Sequence, residues 1–284
     1  MRSSSNHESR ITNHEIERAR GFTLVEMIVV IAITGILGAV VAVFIRRPVE
    51  GYIDAVRRTE LTDIADTALR RITRDLRTAL PNSIRITTAG NVQYLEYLQT
   101  SGGGRYRAET DSSGAGNILN FIAADASFDV IGTMPAPAAG NLIVIYNLSP
   151  SGSTANAYSG DNRKLVDVVN STATTIALSA PPMLFPFQSP GKRFQVVQHA
   201  VTYACDLSAG AGVLRRYWNY GIVDPQPTPP GGSNALLARN ITDCSFTSAS
   251  GATARTSILA LNLQVEQAGE KVRLFQQVHV NNVP

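Results

Sequence analysis

From residue 22 to residue 45 the chain is apolar except at Thr23, Glu26 and Thr34, and residues 27–45 carry no charge. Nineteen helical residues reach roughly 28 Å, about the hydrocarbon thickness of a bilayer, so this run predicts a membrane-spanning helix. It is long for a cleaved secretory signal, and it is followed by Arg46, Arg47 and Pro48 rather than by a small-x-small exit site. It is therefore read as an anchor. Arginines flank it on both sides, so counting basic residues leaves its orientation open.

Beyond the anchor the apolar positions change rhythm. Val49, Tyr52, Ile53, Val56, Leu61, Ile64, Ala65, Ala68, Leu69, Ile72, Leu76, Ala79 and Leu80 recur mostly at three- and four-residue steps, with arginines and acids between them. That spacing predicts one amphipathic face on a continuing helix. Residues 52–80 contain neither glycine nor proline. Pro81 is expected to end the helix at about Leu80, and Pro48 to bend it.

After Pro81 the pattern becomes short runs of strand character separated by glycine, serine and proline clusters. Strands are expected at 92–99, 118–123, 141–148, 175–178, 193–204, 212–220, 256–266 and 271–280, with hairpin turns at 206–212 and 267–270. Loops are expected at 101–104, 135–140, 149–160 and 225–233. The fold class that follows is α+β: a long N-terminal helix over residues 22–80, of which 22–45 span the membrane, packed on a β-rich domain over residues 81–284.

Charge changes the picture less than the pI of about 9.0 suggests. Residues 46–80 hold eight arginines against six acids, whereas residues 81–284 hold thirteen basic and twelve acidic side chains. A nearly neutral body without a basic stripe offers no source for counterion release, so nucleic acid is not an expected partner. The four histidines are scattered and the two cysteines stand 39 positions apart, neither with metal-ligand spacing. In a chain bound for an oxidising compartment, the cysteines favour one disulfide, Cys205–Cys244, over two buried thiols. Neither a metal nor a cofactor is expected.

The segment Gly21-Phe22-Thr23-Leu24-Val25-Glu26, followed by the apolar helix, resembles the cleavage junction of type IV pilins and type II secretion pseudopilins. The resemblance implies a leader over residues 1–21, cleavage between Gly21 and Phe22 by a prepilin peptidase, and methylation of the new Phe22 amine. It also implies that the leader is cytoplasmic, that the anchor lies in a bacterial inner membrane, and that the body lies in the periplasm. Glu26 is then a subunit-docking carboxylate. A carboxylate within a bilayer costs about 2.5–3.5 kcal/mol on insertion scales, so it should find a partner or become protonated, and the new Phe22 amine, four residues away in its own helix or on an adjoining subunit, is the natural partner. The runs at 194–197, 201–206, 214–218 and 276–284 are similar to minor pilins of the MshO type from the mannose-sensitive haemagglutinin (MSHA) pilus. The implied partners are the peptidase, other major and minor pilins, and the inner-membrane pilus assembly machinery.

Other features carry less. Gly102-Gly103-Gly104-Arg105 lacks the lysine and hydroxyl ending of a phosphate loop, and Asp125 with Asp129 lacks the further ligands of a calcium loop. Arg215, Tyr217, Trp218 and Tyr220 could form a surface binding platform, or could simply alternate along a strand. The function expected is assembly rather than catalysis. The rival readings are a minor pseudopilin of type II secretion and, from another class, a periplasmic adhesin or enzyme on an uncleaved anchor.

Overall fold

In the computed structural model, which describes residues 21–284 apart from 153, 209 and 251–255, the apolar run and the amphipathic stretch form one helix, α1 (Leu24–Leu76). It continues through Pro48 as a single element. Two units divide between Asp54 and Ala55. In the first, the side chains of residues 24–45 are all exposed, and among the described residues this is the one helix long and apolar enough to cross a membrane. Its one polar side chain between Met27 and Ile45, Thr34, gives its hydroxyl proton to the Val30 carbonyl at 2.7 Å. That internal bond satisfies a group the bilayer could not.

The second unit, residues 55–284, contains the rest of α1 and eleven strands. These are β1 (Arg85–Ala89), β2 (Val92–Tyr106), β3 (Ser127–Ile131), β4 (Leu142–Ile145), β5 (Arg163–Asp167) and β6 (Thr175–Leu178), then β7 (Arg193–Asp206), β8 (Gly212–Tyr220), β9 (Ser233–Ser250), β10 (Thr256–Gln267) and β11 (Glu270–Asn281). The architecture is α+β with sheet predominating. Leu61, Ala65, Ala68, Leu69, Ile72 and Leu76 are buried against Leu95 and Tyr97 of β2, Val201 and Tyr203 of β7, Leu259 to Val265 of β10, and Val272, Val278 and Val280 of β11. Spacing of three and four places them on one helical face, and alternation along each strand places their partners on one sheet face. Val49, Tyr52, Ile53 and Val56, read as part of the same stripe, are exposed.

The helix stops at Leu76 rather than at about Leu80. The Leu80 amide donates to the Leu98 carbonyl at 2.8 Å and the Thr100 amide to the Thr78 carbonyl at 2.8 Å. Sheet pairing therefore takes the chain before Pro81 does, and the Thr78 hydroxyl closes the last turn by donating to the Asp75 carbonyl at 2.7 Å.

β2 and β7 form a long antiparallel pair (Val92↔Asp206 to Arg105↔Arg193) whose register shifts between Gln99 and Gly102. Before those bulges the two strands line the core under α1, and past them Tyr106, Phe194 and Val196 belong to a second core. β3, β6, β5 and β4 then bridge from β2 back to β7, so that six strands close a ring of pairings. Tyr106, Phe128, Ile143, Val166, Ile176, Phe185 and Phe194 form its core, with the Phe128 and Phe194 rings edge-on at 5.3 Å.

Residues 101–104, expected as a loop, are part of β2, with Gly102, Gly103 and Gly104 opposite Val196, Gln195 and Phe194. The glycines are there for closeness. A Cβ on Gly104 would meet the Phe194 ring at 2.8 Å, and one on Gly103 would meet the Phe194 carbonyl oxygen at 2.6 Å. The strand expected at 118–123 does not form, because the Asn120 side chain accepts from the Ile122 and Ala123 amides at 2.7 and 3.1 Å. Such local bonds hold a turn in place of a ladder.

β9 changes partner midway. Its first half pairs with β8 (Gly212↔Ile241 to Trp218↔Ser233) and its second half with β10 (Val265↔Ile241 to Ser257↔Ser250). A disulfide joins Cys205 of β7 to Cys244 in that second half, with 6.3 Å between their Cα atoms.

Candidate assembly site at the N-terminal helix

Thr23 begins α1. Its side-chain oxygen accepts from the Glu26 amide at 3.2 Å and its carbonyl from the Met27 amide at 3.1 Å. Thr-x-x-Glu at a helix start is the sequence of a capping box, and the acid in the first turn is favoured by the helix dipole. Gly21 and Phe22 are left outside the helix and exposed, Phe22 to 75%. The peptide bond between them thus lies outside regular structure and open to solvent, whereas from Leu24 the backbone is committed to the helix. Residues 1–20, and with them nearly all of the expected leader, lie outside the described residues.

Glu26 is the one acid in the apolar half of α1 before Glu50. Among the described residues no cation lies within ion-pairing distance of its carboxylate. The next charged pair along the helix is Arg46 with Glu50, 2.7 Å apart and exposed. A lone carboxylate on a bilayer-length apolar helix is an expensive group.

Residues 17–42 match the family of the prokaryotic N-terminal methylation motif. The match covers the junction, Glu26 and most of the apolar run. The chain thus carries a type IV prepilin-like N-terminus, and its apolar helix is a membrane anchor. No curated protein and no solved structure matches the chain.

Of the four residues considered as a binding platform, Arg215, Tyr217 and Tyr220 stand opposite Ala204, Thr202 and Ala200 on one face of the sheet, and Trp218 lies on the other. Trp218 packs against the core beneath α1, with the Arg216 guanidinium 5.2 Å from its ring centre. Arg215, one position from Arg216, bonds the Asn234 side chain at 3.1 Å, and Tyr217 stands opposite Asn234 and Thr202. Tyr220 donates to Glu96 at 2.9 Å, and burial first, then the Glu96 charge, pushes its hydroxyl pKa upward. Glu96 in turn is bound by Arg85 at 2.6 Å, and Arg85 stacks 3.6 Å over the Tyr158 ring.

Sequence reasoning overlooked a second polar cluster, on the helix side. Asp75 of α1 accepts from the Tyr203 hydroxyl at 2.7 Å, from Arg216 at 2.8 Å, and from Arg71 at 3.3 Å. Asp75 and Arg216 are 141 positions apart, so no local spacing advertises the pair. Among the described residues no group of three or more His, Cys, Asp or Glu side chains is arranged to hold a metal.

Proposed function

We propose that this chain is a minor pilin: a prepilin cleaved between Gly21 and Phe22, methylated at Phe22 by the prepilin peptidase, and assembled with other pilins into an MSHA-like type IV pilus. In this reading residues 1–21 are a cytoplasmic leader, the anchor lies in the bacterial inner membrane, and residues 81–284 form the periplasmic body. The observation that carries the reading is the junction itself. An exposed, non-helical Gly21-Phe22 pair immediately precedes a capped helix whose apolar half carries its sole carboxylate in the first turn.

Glu26 is the working group. While a subunit waits in the bilayer, its carboxylate is desolvated and without a cation. When the subunit joins a fibre, the new amine of its neighbour meets that carboxylate and fixes the axial register of one helix on the next. The assignment to an MSHA-like system rests on the similarity of residues 194–197, 201–206, 214–218 and 276–284 to its minor pilins.

Intact-mass analysis of the membrane-extracted protein, with and without the peptidase, tests processing. The expected product begins at Phe22 with one added methyl group. Replacing Gly21 by a bulky residue should leave the leader attached, and a chain still starting at Phe22 would sink the junction assignment. Glu26→Ala should be processed and retained in the membrane yet crosslink poorly to pilin partners, with Glu26→Gln intermediate. Equal crosslinking of wild type and the alanine variant would remove Glu26 from assembly.

A further inference from the structure

A groove of about 1150 Å³ runs along the second unit between one flank of α1 from Asp66 to Arg74, with Arg77 just past the helix end, and Leu237 of β9 and residues 274–277 of β11. Two of its properties are unusual for a bare surface. Arg70, Arg71, Arg74 and Arg77 line it against a single carboxylate, Asp66. Asp66 is taken by Arg70 at 2.6 Å, and Arg71 turns to Asp75. Among the described residues no acid pairs with Arg74 or Arg77. One cation in the last helical turn is explained by the helix dipole, but a file of them is not.

The other wall is a sheet edge. β11 pairs with β10 and, among the described residues, with no strand on its far side, so a row of its amides and carbonyls faces outward. Leu274 is half-buried in the groove and Phe275 is 63% exposed there. Thr73, nine-tenths buried and lining the same groove, has a hydroxyl with no hydrogen-bond partner among the described residues.

We propose that this groove binds an extended acidic segment of a partner protein, which adds as a strand to β11 while its carboxylates meet Arg70, Arg74 and Arg77. The spacings agree. Along the helix, Arg70 to Arg74 is about 6 Å, Arg77 follows in the turn after it, and alternate side chains of a strand are about 6.6–6.8 Å apart. Flexible arginines absorb that difference, so every second residue of the incoming strand reaches one cation. The intervening side chains turn to the opposite face, beside the exposed Phe275, and backbone donors of the strand serve the open edge, as in strand-addition recognition. A nucleic-acid backbone would satisfy the arginines but not the β11 ladder. The proposal stands independently of the fibre reading, because it needs only the folded second unit.

The test uses the full chain in detergent and fluorescein-labelled peptides of alternating Glu and Val, read by anisotropy. The Glu peptide should bind saturably, its Lys counterpart should not, and a single-stranded oligonucleotide of equal charge should bind more weakly. Exchanging Arg74→Glu and Arg77→Glu together should weaken the Glu peptide at least about tenfold, with Trp218 fluorescence unchanged as the check on folding. Methylating the peptide amides on one edge should abolish binding, and methylating those on the other edge should not. Tolerance of both methylated peptides, equal binding of the Lys peptide, tighter binding of the oligonucleotide, or no saturable binding at millimolar peptide would each overturn the proposal. So would a concentration-dependent dimer of the chain that the double variant abolishes, since that would give the groove to a second copy.

Discussion

Asp75→Ala is the substitution whose cost is best defined by its surroundings. The carboxylate side chain is 10% exposed and its partner Arg216 11% exposed, at 2.8 Å, and the Tyr203 hydroxyl donates to the same oxygen at 2.7 Å. Removing the acid leaves a buried guanidinium uncompensated, which typically costs about 3–5 kcal/mol. For a unit of this size that corresponds to a melting temperature lower by roughly 6–20 °C. Arg71→Ala removes the outer partner, which is 43% exposed, and should cost no more than about 1 kcal/mol. Arg216→Ala should fall between, because Asp75 keeps Arg71 and Tyr203. Trp218, the only tryptophan, lies beside Arg216 and reports the transition directly by fluorescence. If Asp75→Ala melted within about 2 °C of wild type, the buried ion pair would not be holding helix to sheet.

Three further outcomes follow from the same structure. Replacing Cys205 and Cys244 by serine opens a loop of 39 positions, and denaturant titration should show a loss of about 4 kcal/mol in the chain-entropy account. Gly103→Ala should destabilise by about 1–3 kcal/mol because the methyl would press on the Phe194 carbonyl, whereas Gly102→Ala, with its nearest neighbour at 3.6 Å, should be close to neutral. Equal effects would mean that the β2–β7 contact is looser than described. Burial, assisted by the nearby Arg216 charge, pushes His199 below its ordinary value of about 6.5. Between the two values the unfolded chain holds the proton and the folded chain does not, so stability is full above the ordinary value and falls as the pH drops through that window. His199→Gln should flatten the slope, and an unchanged slope would assign it to another group.

What could be read in the chain and what could not follow a physical line. The stripe from Leu61 to Leu76 was legible because a helix repeats every 3.6 residues whatever lies against it. Its exposed forerunners, Val49 to Val56, show the limit: periodicity marks a face and does not say where a partner stops. β7, β8, β10 and β11 were legible as β-rich runs, and the hairpin turns between them by their glycines and polar residues. β9 was not, since a strand that trades β8 for β10 halfway presents no single alternation. The glycines of β2 were read as a loop because closeness to Phe194, 90 positions on, leaves no local sign. At the N-terminus the reverse holds. Gly21, Phe22, Glu26 and the apolar helix are contiguous, so the prepilin-like motif was legible where the ring of β2 to β7 was not.

The helical stripe also dictates an order of events during synthesis. Leu61 to Leu76 leave the ribosome early, but the β10 and β11 side chains that cover them come about two hundred residues later. At 5–20 residues per second that interval is roughly 10–40 s. Throughout it, a chain already tethered by its first segment displays a sticky helical face whose cover is incomplete, with β2 and later β7 made but β10 and β11 still to come. The arginines and acids spaced along that helix then have a second use, as gatekeepers that keep nascent neighbours on a crowded membrane from pairing through their unfinished cores.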